Sequence, residues 1–131
     1  MPEPTASTKK ILIVEDHQSL RDSLVRWITE LFSDASVFEA STGEEAVALA
    51  GRLNPEIILM DIGLPGINGI EATSEILRRG IKSQIIILTI LEGDIYQRNA
   101  KKAGAYEFIP KREMNIRLPE VMTDILYKNV N

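Results

Sequence analysis

The 131-residue sequence predicts an α/β domain in which a parallel five-stranded sheet carries helices on both faces. Short apolar runs, such as Ile57-Ile58-Leu59-Met60, have the length and composition of strands that are buried on both sides. Each run precedes a segment with apolar residues at helical spacing, and strict alternation of strands and helices implies a parallel sheet with right-handed crossovers. Polar residues close the strands, and the carboxyl ends of parallel strands are where such sheets place their functional groups.

The first half of the chain contains two strand–helix units. A strand is predicted from Lys9 to Val14, and a helix from Ser19 to Phe32 carries apolar residues three and four positions apart. A short strand from Ser36 to Ala40 follows. The segment Thr42-Gly43-Glu44-Glu45 has the pattern of a capping box, in which the threonine oxygen caps the first amides and Glu45 reaches back. The helix that it opens ends at Asn54-Pro55, because the residue before proline avoids the helical region.

The second half contains three more units. The third strand runs from Ile57 to Asp61, and a helix from about Ile67 to Arg79 follows after a turn. The fourth strand is Gln84–Thr89, and a helix from about Gly93 to Ala103 comes after it. A last strand covers Glu107 to Ile109 and leads towards the final helix.

The last helix and the two terminal segments lie outside the five strands described so far. Pro119 is expected in the first turn of the last helix, since a missing N–H is tolerated there. Residues 1–8 are expected to form a disordered leader, and residues 9–128 a single domain. Residues 129–131 are expected to be a terminal coda or the start of a linker.

Composition and charge restrict the kinds of protein to which the chain can belong. Hydrophobic residues make up 44% and charged residues 26%, as in an ordinary globular protein. The formal net charge is −4, and binding to phosphates needs a basic face, so no direct contact of this domain with nucleic acid is expected. There is no cysteine and no segment approaching ~20 apolar residues. A cytoplasmic domain without membrane contact is therefore expected.

Three acids, one hydroxyl and one amine follow or close four of the predicted strands. Glu15 and Asp16 follow the first strand, Asp61 closes the third, Thr89 closes the fourth and Lys111 follows the fifth. Each residue alone is more often a solvated turn or a surface group than a functional one. Because the carboxyl ends of parallel strands share one edge of the sheet, these side chains are expected to converge there.

This constellation resembles the receiver domain of bacterial two-component response regulators. The resemblance extends to the surrounding segments Ile13–His17, Met60–Gly69 and Gly104–Lys111, and it covers about residues 9–128. It implies a flavodoxin-like, doubly wound sheet of strand order 2-1-3-4-5. The similarity is greatest to receivers of transcription regulators that carry a helix-turn-helix output domain. Either such a domain would follow residue 131, or the receiver would act alone on protein partners.

The resemblance implies a phosphorylation-dependent switch that is not a turnover enzyme. Asp61 would take a phosphoryl group from a sensor histidine kinase or a phosphotransfer protein. Lys111 would pair first with Asp61 and then with a phosphoryl oxygen, and Thr89 would donate its hydroxyl to another oxygen. Phe108, three residues before Lys111, takes the position of the switch aromatic. A phosphorylation-dependent homodimer is one arrangement that the resemblance allows.

The same resemblance implies Mg²⁺ as the cofactor. Asp16 and Asp61 would supply carboxylate oxygens and Gly63 a backbone carbonyl, while Glu15 would help through water. Mg²⁺ is a hard cation that takes oxygen ligands and keeps several waters, and it would screen the repulsion between a carboxylate and a phosphoryl group.

The sequence departs from the family pattern at Ile90, and it fits two other classes of protein poorly. Ile90 stands where family members usually have a small residue, and it is expected to overhang Asp61 or else to pack against the following helix. An aspartyl-phosphate hydrolase of the haloacid dehalogenase type is the alternative enzyme, but it needs an acid at the position of Gly63. A flavodoxin-like cofactor binder needs a phosphate loop after the first strand, where Glu15 and Asp16 would repel phosphate.

Overall fold

The computed structural model describes residues 9–128 and has five strands that alternate with five α-helices in this range. The leader predicted for residues 1–8 and the coda predicted for residues 129–131 lie outside the described residues. The strands are Lys9–Val14 (β1), Ala35–Ala40 (β2), Ile57–Met60 (β3), Gln84–Thr89 (β4) and Glu107–Pro110 (β5). The helices are Gln18–Leu31 (α1), Gly43–Leu53 (α2), Gly69–Arg78 (α3), Asp94–Ala103 (α4) and Met114–Tyr127 (α5).

All strand pairs are parallel, as the sequence pattern predicted, and the strand order is β2-β1-β3-β4-β5, as the resemblance to receiver domains implied. The register aligns the carboxyl ends of neighbouring strands. Val14 lies opposite Met60, and Thr89 lies opposite Pro110. The residues that follow these positions therefore emerge at the same edge of the sheet, which we call the rim.

The central strands have buried residues on both faces, because helices cover each side of the sheet. Leu12 and Ile58 belong to a core between the sheet and helices α2, α3 and α4. Ile13 and Leu59 point the other way, into a core between the sheet and helices α1 and α5. Burying a leucine or isoleucine side chain contributes about 1.5–3 kcal/mol. These cores make the strands a rigid base for the rim.

Helix α3 begins two residues later than the sequence predicted. Asn68 is its N-cap, and the side-chain oxygen accepts hydrogen bonds from the amides of Ile70 (2.8 Å) and Glu71 (2.9 Å). The Glu71 carboxylate in turn accepts from the Asn68 amide at 2.9 Å, which completes a capping box. These bonds hold residues 61–68 as a turn between β3 and α3. None of the helices within residues 9–128 has the length and hydropathy needed to span a membrane.

The prediction that Pro119 lies in the first turn of the last helix is wrong. Helix α5 begins at Met114, directly after a 3₁₀ turn at Lys111–Glu113, and Pro119 lies in its interior. An interior proline costs about 3 kcal/mol in an exposed helix. Here Leu118 and Met122 are fully buried in the core between the sheet and helices α1 and α5, and their burial offsets that cost.

Candidate functional site

Three carboxylates meet at the rim. Glu15 and Asp16 directly follow β1, and Asp61 directly follows β3. The backbone ladder extends one residue beyond the strands, because the Asp61 amide donates to the Val14 carbonyl at 3.1 Å. One oxygen from each carboxylate lies within 4.8 Å of the others, an arrangement that can hold a metal ion. The convergence of these acids, which the sequence predicted, is therefore present in the structure.

Lys111 lies beside this carboxylate cluster, but its shortest contact differs from the prediction. The Lys111 Nζ atom is 2.8 Å from Glu15 Oε1 and 3.6 Å from Asp61 Oδ2. Glu15 is the most buried of the three acids, with 3% of its surface exposed. A buried carboxylate needs a nearby cation and hydrogen bonds, and Glu15 also accepts from the His17 amide at 3.0 Å. This demand explains why the ammonium group sits closer to Glu15 than to Asp61.

The amine of Lys111 reaches the cluster because β5 ends next to β4. Pro110 is the last residue of β5 and pairs with Thr89, so Lys111 leaves the sheet beside the threonine. Thr89 itself is fully buried. The hydroxyl oxygen of Thr89 accepts a hydrogen bond from the Leu91 amide at 3.1 Å, which ties the hydroxyl to the loop that follows β4. The structure therefore places the predicted hydroxyl and amine side by side at the rim.

Ile90 lies at the mouth of this site. The side chains at the rim enclose a cleft of about 300 Å³, and Ile90 and Leu91 form its wall on the side of the loop after β4. Ile90 is 73% exposed, which excludes the reading in which it packs against the following helix. Ile90 and Asp61 therefore line the same cleft.

The turn after β3 shapes the side of the cleft that contains Gly63. Gly63 lines the cleft and is exposed to solvent. Further along the turn, a β-carbon added to Gly69 would lie 1.9 Å from the Asp61 carbonyl oxygen, so no other residue fits there without moving the backbone. The Gly69 amide donates to the Ile62 carbonyl at 2.9 Å. Gly69 is thus a positioning residue for Asp61 that sequence reasoning missed.

Arg21 is a second residue that sequence reasoning missed. The Arg21 guanidinium donates to the Glu15 carbonyl oxygen at 2.8 Å and pairs with Glu39 at 3.0 Å. Because Glu39 is in β2 and Arg21 is in α1, this contact braces the chain where it turns away from β1. The sequence carries no signal for it, since Glu39 is 18 residues from Arg21 and no periodic pattern links the two.

Phe108 lies away from the acidic cluster, on the opposite side of β5 from α5. Phe108 pairs with Ile87 in the register and packs at the edge of the core that includes α4. The phenylalanine is half-buried and lines a second cleft, of about 340 Å³, together with Tyr106 and Arg117. The structure thus separates Phe108 from the carboxylate cluster and connects it with Thr89 through the β4–β5 pairing.

A doubly wound 2-1-3-4-5 sheet with clustered acids, a lysine and a threonine at its rim defines a receiver-type signalling domain. The family model described as "Response regulator receiver domain" matches residues 11–123. The chain is 33% identical over 102 residues to the response regulator GacA of Pseudomonas aeruginosa. That alignment covers 78% of this chain and 48% of GacA.

Solved structures give the same result. A LuxR-family two-component response regulator from Aurantimonas sp. SI85-9A1 is 34% identical, with a TM-score of 0.84, over 93% of this chain and 87% of that one. The response regulator protein TrrA of Thermotoga maritima, solved in complex with Mg(2+)-BeF, is 29% identical with a TM-score of 0.79. The alignment with TrrA covers 91% of this chain and all of that one (100%).

This chain belongs to the response regulator receiver domain family. It is a phosphorylation-dependent switch of the two-component type, and neither the comparisons nor Gly63 supports the haloacid dehalogenase alternative. The chain spans about half the length of GacA and of the other relatives that it matches. These relatives are regulators, among them the transcriptional regulatory protein LiaR of Bacillus subtilis, 35% identical over 102 residues (78% of this chain and 48% of LiaR).

Proposed function

We propose that Asp61 is the residue that accepts the phosphoryl group, from a sensor histidine kinase or a phosphotransfer protein. The observation that carries this proposal is the position of Asp61 between two other carboxylates and the Lys111 amine, 3.6 Å away. Phosphoryl transfer requires mainly positioning and neutralisation of charge, and this arrangement offers both. The domain acts as a phosphoacceptor and not as a turnover enzyme. The cysteine-free sequence suits the reducing cytoplasm, where we place the transfer.

Mg²⁺ is the cation that we propose for the carboxylate cluster. Ligands of octahedral Mg²⁺ lie at about 2.0–2.1 Å, so two oxygens on opposite sides of the ion are about 4.2 Å apart. The oxygens of Glu15, Asp16 and Asp61 lie within 4.8 Å of one another and need only small side-chain adjustments to fit. The Gly63 carbonyl would be a further ligand from the same cleft. The complex of TrrA with Mg(2+)-BeF supports this assignment.

Lys111 and Thr89 would hold the phosphoryl oxygens. The ammonium group of Lys111 carries a positive charge next to the oxygens of Asp61, where negative charge increases on transfer. Thr89 would donate its hydroxyl to a second phosphoryl oxygen from the buried end of β4. Lys111 would neutralise charge on the transferred phosphoryl group and Thr89 would fix its orientation, and neither would form a covalent bond to it.

Phe108 would transmit the switch. A shift of Thr89 towards the phosphoryl group would vacate space beside β5, and Phe108 would move into it from the cleft that it lines with Tyr106 and Arg117. Beryllofluoride with Mg²⁺ should then shift backbone amide resonances from Asp61 through Thr89 into α4. Resonance changes confined to the turn after Asp61 would remove Phe108 from the mechanism.

The decisive test of the phosphoacceptor is the intact mass of the protein after incubation with acetyl phosphate and Mg²⁺. The wild-type chain should gain one phosphoryl group that is labile to hydroxylamine, as an acyl phosphate is, and Asp61→Asn should gain none. Asp124→Asn is the matched control, since Asp124 pairs with Lys128 near the end of α5. A stable adduct on serine or threonine would overturn the proposal.

Where a further domain accompanies this receiver, we propose that it carries the output function. The 102 aligned residues make up 48% of GacA and of LiaR, so those proteins extend well beyond the aligned part, and we propose that they indicate transcription control through a further domain. The net charge of −4 supports assigning nucleic acid contact to that domain and not to the receiver. Homodimerisation on phosphorylation is testable by light scattering with and without beryllofluoride.

A further inference from the structure

Two short segments leave the sheet next to each other at the rim. Because Thr89 pairs with Pro110, the loop after β4 and the 3₁₀ turn after β5 start side by side. Glu92 of the loop and Arg112 of the turn form two parallel hydrogen bonds, from Arg112 Nε to Oε2 at 2.9 Å and from an Arg112 terminal nitrogen to Oε1 at 3.1 Å. Such bidentate pairs fix geometry more strictly than a single contact does.

The loop that Glu92 holds is also the loop that holds Thr89. The Leu91 amide, one residue before Glu92, donates to the Thr89 hydroxyl oxygen at 3.1 Å. This bond fixes the position of the oxygen and hence the direction in which the hydroxyl proton can point. Ile90, between the two bonded residues, is held at the mouth of the cleft. The Glu92–Arg112 pair and the Leu91–Thr89 bond therefore stabilise one conformation of one loop.

Arg112 is anchored on its own side of the cleft as well. The guanidinium contacts Glu113 at 3.0 Å, and Glu113 is held at 2.8 Å by Arg117 of α5. The bonds to Glu92, followed by the charges of Glu92 and Glu113, raise the pKa of Arg112 above its ordinary value, so the group stays charged at every working pH. The described ion pairs of Glu92 and Arg112 thus connect the loop after β4 to the start of α5.

We propose that the Glu92–Arg112 pair is a latch. It keeps the Leu91 amide bonded to the Thr89 hydroxyl and keeps Ile90 at the mouth of the cleft, and it thereby slows phosphorylation of Asp61. Glu92 and Arg112 are positioning residues that act through Leu91, Thr89 and Ile90, and the proposal rests on the phosphoacceptor role of Asp61. For Thr89 to donate to a phosphoryl oxygen and for Ile90 to clear the approach, the loop must shift. Any contact made only in the unshifted state opposes that shift.

The experiment compares initial rates of acyl phosphate formation with acetyl phosphate and excess Mg²⁺, measured by intact mass. Glu92→Gln and Arg112→Gln should each raise the rate, by about two- to fivefold given the usual strength of exposed ion pairs. The double variant of Glu92→Gln with Arg112→Gln should be no faster than the single variants, because each single change already removes the pair. Arg79→Gln, which removes the Glu75–Arg79 pair at the far end of α3, is the control and should leave the rate unchanged.

A second measurement separates a latch from a general loss of stability. The backbone amide of Leu91 should exchange its hydrogen faster in Glu92→Gln and in Arg112→Gln, but not in Arg79→Gln, before any phosphorylation. Rates in the single variants that equal or fall below that of the wild type would overturn the latch, and so would rate increases that multiply in the double variant. If the wild-type chain gains no phosphoryl group on Asp61, the phosphoacceptor proposal itself fails, whereas phosphorylation at equal rates in all variants removes only the latch.

Discussion

Replacing Asp16 with asparagine should stabilise the protein in the absence of divalent metal. The Asp16, Glu15 and Asp61 oxygens lie within 4.8 Å of one another, and two unit charges at that distance repel by about 0.9 kcal/mol in a medium as polar as water. Asp16→Asn removes two such repulsions, while the nearby Lys111 ammonium loses one attraction. The net gain in the free energy of unfolding is therefore about 1 kcal/mol.

Mg²⁺ should reverse this order of stability. A ligand present at 100 times its dissociation constant stabilises the folded state by about 2.7 kcal/mol, and the wild-type chain should receive that stabilisation. Asp16→Asn loses one carboxylate ligand, so it should bind Mg²⁺ more weakly and be stabilised less. The two melting curves should therefore exchange places as Mg²⁺ is added.

The measurement is thermal unfolding with a chelator and at increasing Mg²⁺. One kcal/mol corresponds to about 4 °C for a domain of this size, which is easily resolved. Asp124→Asn serves as the control and should respond to Mg²⁺ as the wild type does. Equal melting temperatures of Asp16→Asn and wild type with chelator, together with equal Mg²⁺ affinities, would refute the assignment of Asp16 to a metal site.

Substitutions of Lys111, Ile90 and Tyr127 test three further contacts, two at the rim and one near the end of α5. Lys111→Met should lower the free energy of unfolding by about 3 kcal/mol because it leaves the buried Glu15 unpaired, and adding Glu15→Gln should recover most of that loss in urea titrations. Ile90→Ala should speed both formation and hydrolysis of the acyl phosphate with Mg²⁺ affinity unchanged, and unchanged rates would remove Ile90 as a barrier. The hydrogen bond to Asp34, with burial, raises the pKa of Tyr127 to about 12. Since the folded pKa lies above the ordinary value, the stabilising effect is complete below about pH 10 and is lost as the pH rises to about 12. The difference in the free energy of unfolding between the wild type and Tyr127→Phe should therefore be smaller near pH 12 than near pH 10, which urea titrations at both pH values check.

The positions of the strands, and hence of the acids, could be predicted because one physical signal determines both. Ile57–Met60 is apolar at every position, so it must be buried on both faces, and the first charged residue after it must lie where the strand leaves the core. The same reasoning places Glu15 after β1 and Thr89 at the end of β4. Residues that share a sheet edge then converge without any information on side-chain contacts.

Contacts between side chains that are distant along the chain could not be predicted in this way. Lys111 is within reach of both Glu15 and Asp61, and the choice between them depends on which carboxylate is more buried in the folded state. The Glu92–Arg112 pair depends on two irregular segments whose directions no periodicity encodes. Both contacts are decided by tertiary geometry after the strands have formed.

Helix ends show how a correct local pattern can lead to a wrong detail. Thr42 caps α2 through the Glu45 amide at 3.0 Å, as predicted, but the Glu45 carboxylate accepts from the Ser41 amide at 2.9 Å and not from Thr42. The missing N–H of Pro119 by itself favours a position at the start of a helix. The burial of Leu118 and its neighbours outweighs that local preference, and only the packed structure reveals this balance.

The two sides of the rim are held by different kinds of bond, and this difference decides which side can move. Glu15 and Asp61 are fixed by backbone bonds that continue the sheet, from the Glu15 amide to Ala40 at 3.0 Å and from the Asp61 amide to Val14 at 3.1 Å. Moving them would break the sheet. The backbone of Thr89 is likewise part of the sheet, but its hydroxyl is held by one bond to the loop after β4, and that bond can be exchanged for another without loss of the core. We therefore expect that a charge added at Asp61 displaces the loop and not the carboxylates, so that the response spreads towards α4 and β5 and leaves β1 and β2 in place.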